Sequence, residues 1–372
     1  MTAHDRPGGG AAGGRPGRRE RRPTMADIAR HVGVSRPLVS IVVRGAEGAS
    51  DETRERVLKA AAELGYRPDS LAQRLRSHRT RHLGVLFELR RPFEVEMVEH
   101  MFPVVTELGY HLVLGATTPE RSQELVVDEL LRYRCEGLVV IGPELDAHHL
   151  DPIAAEVPIV EVGRRVTRGP VDVVRNDDAL GTRQAVDHLV SIGHRSIAFI
   201  DGGRNPGAKD RRAGYRAAMR GHGLADRIRV VPGGYTEERG AAAARTLLAH
   251  PLPTAVLTSN DLSAIGLLDT VLRAGVRVPE DLSVVGYDDS RFARLPGIDL
   301  SSVRQDVQRM AELAVHAVVE RLDHPPREPV DVATAPHLVL RGTTAAPLPR
   351  SARSAGGVSR RSGPGAGPAT PA

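Results

Sequence analysis

Short apolar segments that alternate with helical stretches constrain the fold of residues 81–344 more than any other feature of this chain. Seven of them follow one another: LGVLFE, YHLVLG, EGLVVIG, VPIVEVG, SIAFIDG, TAVLTSND and LSVVGYDD. Apolar runs without polar alternation are typical of strands buried on both faces of a parallel sheet. Because so many strand–helix units would make a single sheet large, we predict an α/β domain of two doubly wound lobes, with ligands at the carboxyl ends of the strands.

Residues 23–68 lack strand signals and are predicted to be entirely helical. Thr24 and Asp27 have the spacing of a capping box, which begins a first helix. A short VGV turn follows, and Ser35 is placed to cap a second helix. A further helix begins after Ser50. Two short helices joined by a tight turn predict a helix-turn-helix.

The proline in GVSRPLVS, residues 33–40, is compatible with a helix start. The first N–H groups of a helix have no intrahelical partner, so Pro37 costs little there. Ser35 then accepts a hydrogen bond from the amide of Leu38, and Arg36 is the first helical residue. The start of such a helix meets base edges in the major groove, where a guanidinium matches guanine. We predict that Arg36 contacts DNA; a small helical bundle that binds protein is the alternative.

The charge distribution supports a polyanion partner for the N-terminal part of the chain. Residues 21–80 contain 12 Lys and Arg against 7 Asp and Glu, whereas residues 81–344 contain 31 against 37. A basic module on an acidic body is typical of nucleic-acid binding, although a solubilising surface would have the same charge.

The segment DSLAQRLRS begins a predicted hinge helix and linker at residues 69–80. It is basic and too short to be a stable helix alone in water, so we expect it to fold on DNA. Leu71 and Leu75 lie four apart and could enter a minor-groove step and bend the duplex. The alternative is an amphipathic linker packed on the body.

The two ends of the chain are predicted to be disordered tails. Residues 1–22 consist largely of Gly, Arg and Pro, and residues 345–372 are rich in Pro, Gly, Ser and Ala. No signal-peptide core or membrane-length apolar run is evident, and the single cysteine, Cys135, allows no internal disulfide. We therefore expect a cytoplasmic protein without a membrane partner, with Cys135 as a buried structural thiol.

The motifs of common enzymes are missing from this sequence. No G-x-G-x-x-G follows the first strand and no P-loop motif occurs, which argues against a dinucleotide-dependent or P-loop enzyme. No nucleophile–base pair stands out, and His148–His149 has no partners at metal-ligand spacing. We expect no catalytic activity, no cofactor and no metal.

Several long segments resemble the LacI/GalR family of bacterial transcription regulators. The DNA-binding and hinge region of that family is similar to PTMADIARHVGVSRPLVSIVVRGAEGASDETRERVLKAAAELGYRPDSLAQRLRS. The resemblance continues through PFEVEMVEHMFPVVTELGYHLVLG, GHRSIAFIDG, TSNDLSAIGLL and VPEDLSVVGYDDS, and covers roughly residues 23–343. It implies a helix-turn-helix module, a hinge helix and a two-lobe, periplasmic-binding-protein-like body.

The resemblance also implies a homodimer on a pseudopalindromic double-stranded DNA operator, with a small effector in the interlobe cleft. Ile41 stands where many members carry a base-contacting arginine or histidine. The implied DNA-binding residues are Thr24, Ser35, Arg36, Pro37, Ser40, Ile41, Leu71, Ala72 and Leu75.

The resemblance places Phe93, Arg211 and Tyr235 in this cleft, and Asn260 and Asp288 follow predicted strands at the edge where open α/β sheets bind ligands. Glu94 replaces the second residue of a family aromatic pair, which makes the cleft more polar and favours a sugar over a nucleoside or purine. Asp261 could cap a helix or contact the ligand, and Asn176 and Asp177 could do either.

Together these observations predict a ligand-responsive transcriptional regulator, in particular a repressor of a sugar-utilisation or related metabolic operon. The alternative is a sugar-binding, transport-type protein without catalytic activity. The missing export signal and the basic N-terminal module argue against that alternative.

Overall fold

The computed structural model describes residues 23–43, 46–66, 79–145, 147–164, 171–324 and 328–348. The chain divides into two compact units, with the boundary between residues 79 and 80. Both predicted tails lie outside the described residues for most of their length. The same is true of the hinge positions Leu71, Ala72 and Leu75.

The first unit is helical, as predicted. Its helices are α1 (Met25–Val32), α2 (Arg36–Val43) and α3 (Asp51–Glu63). The Asp27 carboxylate accepts the Thr24 N–H at 2.8 Å, and Ser50 Oγ accepts the Thr53 N–H at 3.3 Å. The three helices enclose a small apolar core formed by Ile28, Ala29, Val39, Val42, Val57 and Ala60.

The second unit is built from alternating strands and helices. Its strands are β1 (His82–Glu88), β2 (His111–Thr117), β3 (Gly137–Ile141), β4 (Ile159–Val162), β5 (Asp172–Asn176), β6 (Ile197–Ile200), β7 (Arg229–Val231), β8 (Ala255–Thr258), β9 (Ser283–Asp288), β10 (Ser301–Arg304), β11 (Asp331–Thr334) and β12 (His337–Val339). Its helices are α4 (Pro92–Glu107), α5 (Gln123–Arg132), α6 (Ala147–Ala154), α7 (Asp178–Ser191), α8 (Ala208–Gly221), α9 (Glu237–Leu248), α10 (Asp261–Arg273) and α11 (Val307–Asp323).

These elements form two lobes, each around its own sheet. Lobe 1 has the strand order β11-β5-β4-β3-β1-β2, and lobe 2 has the order β12-β10-β9-β8-β6-β7. The chain passes between the lobes after β5, after β10 and after β11, and α11 returns to the core of lobe 1. Each lobe is therefore assembled from segments that are distant in the sequence.

All seven apolar runs form strands, which confirms the predicted doubly wound pattern. Two details differ from the prediction. Strand β2 lies at a sheet edge, so Leu114 remains 49% exposed instead of buried on both sides. Strand β12 pairs antiparallel with β10, so the sheet of lobe 2 is not wholly parallel. The strands that the pattern did not predict are short edge strands or, like β5 and β10, carry polar residues.

The packed chain continues past the boundary predicted at residue 344. The Ala345 carbonyl lies 2.9 Å from Nε2 of the buried His194, and the Ala345 N–H donates to Ser283 Oγ at 3.1 Å. These bonds fix the start of the C-terminal segment on lobe 2, because His194 and Ser283 are themselves buried there.

Helices α9 and α10 approach each other closely enough to require glycine. A Cβ on Gly240 would collide with the backbone of Ser263, and one on Gly266 would collide with the backbone of Glu237. The residues that precede these helices, Tyr235 and Asn260, are therefore held side by side at one end of lobe 2.

The ion pair between Asp172 and Arg321 provides a test of how α11 is held on lobe 1. Two bonds of 2.7 and 2.8 Å join them, and Asp172 is 1% exposed. We expect Asp172→Asn to lower the free energy of unfolding by about 3 kcal/mol, because a neutral amide cannot replace the buried carboxylate in its two charge-assisted bonds to Arg321. Urea unfolding would measure this change.

The matched control is Asp269→Asn, which breaks a solvent-exposed pair with Arg273 by the same chemical change. Water solvates both of these groups, so a much smaller effect is expected. Equal losses in the two variants would contradict the role given to Asp172.

Candidate functional site

The start of α2 presents polar side chains to solvent. Ser35 Oγ accepts the Leu38 N–H at 3.4 Å, as predicted for an N-cap. Ser35, Arg36 and Pro37 are exposed, whereas Val39 lies buried in the module core. The first turn of the helix therefore offers a serine hydroxyl and a guanidinium to a partner, while the opposite face holds the helix on the module.

The other DNA-binding candidates of this unit are less exposed. Ser40 and Ile41 are half-buried, and the Ile41 carbonyl accepts the Ala46 N–H at 3.1 Å. Ile41 also packs near Gly48, since a Cβ there would lie 3.8 Å from two of its methyl carbons. The Thr24 hydroxyl donates to Asp27 at 2.7 Å, so it already has an acceptor at the start of α1.

The five predicted effector residues line one cavity between the two lobes. The cavity has a volume of about 50 Å³, and its walls include Phe93, Arg211, Tyr235, Asn260 and Asp288. Residues from α4 in lobe 1 thus meet the ends of strands and starts of helices in lobe 2. This is the edge of an open α/β sheet at which ligands bind.

Arg211 is the most buried cation of this cavity. Its Nε lies 3.1 Å from Asp178 Oδ1, and its Nη1 lies 3.6 Å from Asp288 Oδ1. Its guanidinium carbon stands 3.7 Å from the centre of the Tyr287 ring. Burial alone would lower the pKa of Arg211, but the Asp178 carboxylate leads the opposing effects that keep this pKa well above its ordinary value. Arg211 is therefore a fixed positive charge at the floor of the cavity.

Asp288 faces the same cavity with strained backbone geometry. Its φ is 104°, a region that residues with a Cβ rarely adopt. Gln305 Nε2 donates to its carboxylate at 2.7 Å. Burial raises the pKa of Asp288 well above the ordinary value of a carboxyl group. Asp288 can therefore hold a proton near neutral pH and donate as well as accept a hydrogen bond.

Tyr235 and Asn260 are positioned by hydrogen bonds within lobe 2. The Tyr235 hydroxyl donates to the Pro206 carbonyl at 2.7 Å. Asn260 caps α10, because its Oδ1 accepts the Ser263 N–H at 2.9 Å, while its Nδ2 donates to the Tyr235 carbonyl at 3.1 Å. Asn260 therefore lines the cavity with an amide that makes two structural hydrogen bonds and has one further N–H.

Asp261 takes neither of the roles considered for it. It is the first residue of α10 and not its cap, and it is 1% exposed. Its carboxylate accepts the Ser302 hydroxyl at 2.6 Å and the Ser290 N–H at 2.7 Å. It joins three segments of lobe 2 and is not part of the cavity wall.

Several other polar residues considered in the sequence lie outside the cavity wall. Asp177 caps α7, and the buried Asn176 donates to the Tyr287 hydroxyl at 2.8 Å. His148 and His149 are exposed at the start of α6. The thiol of Cys135 is buried, which raises its pKa to about 12.

Glu94 lines the cavity, and its carboxyl group bonds within lobe 1. It is 3% exposed, and its two oxygens accept the Glu88 N–H at 2.6 Å and Arg91 Nη1 at 3.1 Å. These bonds turn its oxygens toward its own lobe, where Glu94 orients Arg91, and Glu94 is also part of the cavity wall. Burial raises the pKa of Glu94 to about 7.

Sequence reasoning missed four residues around the cavity. Arg91 and Gln305 line it, while Asp178 and Tyr287 hold Arg211 from behind. The sequence marks these residues only weakly, because each lies beside or outside the motifs from which the cleft residues were predicted. Tyr287 is the exception, because it directly follows the VVG of β9, near the carboxyl end of a predicted strand.

Two negative findings apply to the residues that the structure describes. No group of three or more His, Cys, Asp or Glu side chains is arranged to hold a metal ion. Among the helices of that same part of the chain, none is long and apolar enough to cross a membrane.

Comparison with known proteins identifies both parts of the chain. Residues 24–69 match the model of bacterial regulatory proteins of the lacI family, and residues 186–344 match that of a periplasmic binding protein-like domain. The ribose operon repressor of Escherichia coli K12 is 32% identical over 333 residues, which cover 86% of this chain and 99% of the repressor. The chain belongs to the lacI family of bacterial regulatory proteins.

Solved structures of lacI-family proteins agree in fold. A LacI transcriptional regulator from a Rhodococcus species is 44% identical with a TM-score of 0.70, covering 72% of this chain and 100% of that one. The lac repressor dimer bound to operator and the anti-inducer ONPF is 28% identical with a TM-score of 0.77, covering 88% and 100%. This lacI-family protein is thus a DNA-binding transcriptional regulator, and the transport-type alternative is set aside.

The raised pKa of Glu94 predicts a pH-dependent stability. Between about pH 4.5 and 7 the folded protein holds a proton on Glu94 that the unfolded chain has released. The contribution of Glu94 to stability is therefore full below this window and falls by about 1.4 kcal/mol per pH unit as pH rises through it. Glu94→Gln cannot titrate, so the parent should lose stability relative to this variant across the window.

Urea unfolding of both proteins from pH 4.5 to 8 would measure the difference. Glu99→Gln, which removes an exposed carboxylate from the same helix, controls for the loss of one charge. A stability difference between parent and Glu94→Gln that does not change with pH would contradict the assignment.

Proposed function

We propose that this lacI-family regulator is a repressor of an operon for sugar uptake or metabolism, and that a sugar in the interlobe cleft changes its operator affinity. The observation that carries the proposal is the built cleft, in which a buried arginine, carboxyl and amide groups and an aromatic ring converge. Sites of this kind bind polyhydroxyl ligands through directional hydrogen bonds and an apolar ring face. The similarity to a ribose operon repressor is consistent with a sugar effector.

We propose that the protein binds a pseudopalindromic operator as a homodimer, in the cytoplasm, where bacterial DNA is accessible. The lac repressor of similar fold is a dimer on its operator. Ser35, Arg36 and Pro37 would approach the major groove, since they form the exposed first turn of α2. Ser40 and the apolar Ile41 would contact sugar–phosphate or thymine methyl groups. Leu71, Ala72 and Leu75 stay sequence-based candidates for the minor groove.

Arg36 provides the test of the DNA-binding surface. We expect Arg36→Ala to weaken binding to the preferred duplex by about 1–3 kcal/mol and to relax base preference at one position in each half-site. The loss arises because no other side chain on the first turn can form two bonds to a guanine. Selection from random duplexes, followed by binding titrations at fixed salt, would measure both effects.

Arg30→Ala is the matched control, because Arg30 is an exposed arginine of α1 and its removal changes the net charge equally. It should weaken binding uniformly across sequences, without altering the selected site. If Arg36→Ala selected the same site as the parent with the same preference, Arg36 would not contact a base.

Arg211 is a poor choice for testing the effector cleft, although it lies at the centre of it. Its removal would leave the buried Asp178 carboxylate without its nearest counter-ion, and such a change destabilises a fold strongly. Asp288→Asn keeps the shape of the side chain and the charge of Arg211, so it changes the site with less risk to folding.

We expect Asp288→Asn to reduce sugar affinity about tenfold or more, because the amide oxygen would stay with its donor Gln305 and the second position would be an NH2 group, which cannot accept a hydrogen bond from a sugar hydroxyl. A thermal-shift screen of pentoses, hexoses and disaccharides would first identify the sugar, and calorimetry would then compare parent and variant. Operator affinity without sugar should not change, which serves as the internal control. Unchanged sugar affinity would remove Asp288 from the site, and a screen in which only purines bind would overturn the sugar assignment.

A further inference from the structure

Arg91 connects the two lobes beside the cleft. Three carboxylates of lobe 1 hold its guanidinium: Glu88 at 2.7 Å from Nε, Glu94 at 3.1 Å from Nη1 and Glu144 at 3.0 Å from Nη2. The same Nη2 donates to Asn205 Oδ1 of lobe 2 at 3.0 Å. One nitrogen of Arg91 therefore bonds both lobes at once. We name the Arg91–Asn205 bond the interlobe latch.

The interlobe latch lies between two cavities of very different size. Arg91 lines the inner cavity of about 50 Å³ that contains Arg211. Its two partners at Nη2, Glu144 and Asn205, line an outer cavity of about 640 Å³ together with Arg164, Arg204 and Lys209. Both cavities reach Pro206, so they are neighbours, and the latch joins Arg91 of the inner wall to Asn205 of the outer wall.

The inner cavity is too small for an effector while the latch is closed. Liquid water occupies about 30 Å³ per molecule, and small-molecule pockets measure about 300–1,000 Å³. A ligand that reaches Arg211 and Asp288 must therefore extend beyond the inner cavity, and the outer cavity adjoins it at Pro206 and at the latch.

We propose that Arg91 is the gate of the effector site: the effector enters when the latch to Asn205 opens, which joins the inner and outer cavities into one binding site. This inference rests on the proposed effector function of the cleft. The latch is suited to this role because its two ends differ in strength. Three carboxyl groups keep Arg91 on lobe 1, whereas one neutral oxygen and the Tyr235 ring, whose centre is 5.9 Å from the guanidinium carbon, hold it to lobe 2. Opening therefore breaks one hydrogen bond and leaves Arg91 with its carboxyl partners.

A second polar contact between the lobes provides the control. Arg294 of lobe 2 lies 3.8 Å from Glu96 of lobe 1, and neither residue lines the inner cavity. Glu96→Gln therefore weakens an interlobe ion pair without touching the latch. A gate formed by Arg91 and a general effect of lobe closure make different predictions for this variant.

The test measures access to the inner cavity without any effector. The chain has no tryptophan, so Phe93→Trp introduces one fluorophore in the wall of the inner cavity. Acrylamide quenching of that tryptophan then reports how often the cavity opens. In the Phe93→Trp protein, we expect Asn205→Ala to raise the quenching rate constant severalfold, because the latch has lost its acceptor.

Asn205→Asp should not raise the quenching rate constant, and this variant controls for changes in local packing at position 205. Asn205 Nδ2 also donates to the Gly202 carbonyl at 2.7 Å, and both substitutions remove that bond. Only the aspartate keeps an acceptor for Arg91 and adds a charge, so we expect quenching at or below that of the Asn205 protein. Thermal melts of each variant confirm folding.

Two results would overturn the gate. One is equal quenching in the Asn205→Ala and Asn205→Asp proteins, which would show that the Gly202 bond or the loop matters and the latch does not. The other is a rise with Glu96→Gln as large as with Asn205→Ala, which would assign access to general lobe closure. Because no sugar or operator is present, these outcomes are independent of whether a sugar regulates DNA binding.

Discussion

The burial of Arg211 is the constraint on which the cleft depends. A guanidinium removed from water must be surrounded by counter-ions and acceptors, or its desolvation would outweigh any packing gain. Asp178 supplies the main counter-ion from the first residue of α7, directly after the chain has left lobe 1. Asp288 and Tyr287 come from the end of β9, and the Ser259 carbonyl from the end of β8. One side chain thus fixes the positions of three segments of lobe 2 at the cavity floor.

On the opposite wall, Arg91 is also surrounded by carboxyl groups, but its partners are divided between the two lobes. The carboxylates belong to lobe 1 and leave one of its bonds for lobe 2. Arg211 is enclosed and its partners are permanent, whereas Arg91 remains 15% exposed and its interlobe partner is neutral. A fixed cation on one side and an exchangeable one on the other allow the lobes to separate without exposing an unpaired charge.

Much of the fold followed from local pattern. The seven apolar runs form strands because a continuous apolar run is a signal carried by a few adjacent residues. The caps at Ser35 and Ser50 were predictable because each needs a partner only three residues away. The five predicted effector residues line one cavity because strand ends in a parallel sheet share an edge. Edge strands such as β12 were not predicted, because three residues are too few to show a periodic pattern. The direction of such a strand also depends on the neighbour with which it pairs.

The sequence by itself determined the family, the two-lobe α/β architecture and the identity of the first turn of α2, because these depend on spacing along the chain. Only the tertiary structure decided which polar residue caps a helix, which bridges segments and which lines the cavity. Asn260 became the cap and Asp261 the buried bridge because Ser302, 41 residues away, supplies a hydroxyl to the latter. Arg91 meets Asn205 across 114 residues. Such roles arise from the exclusion of water where distant segments meet, and no local pattern encodes them.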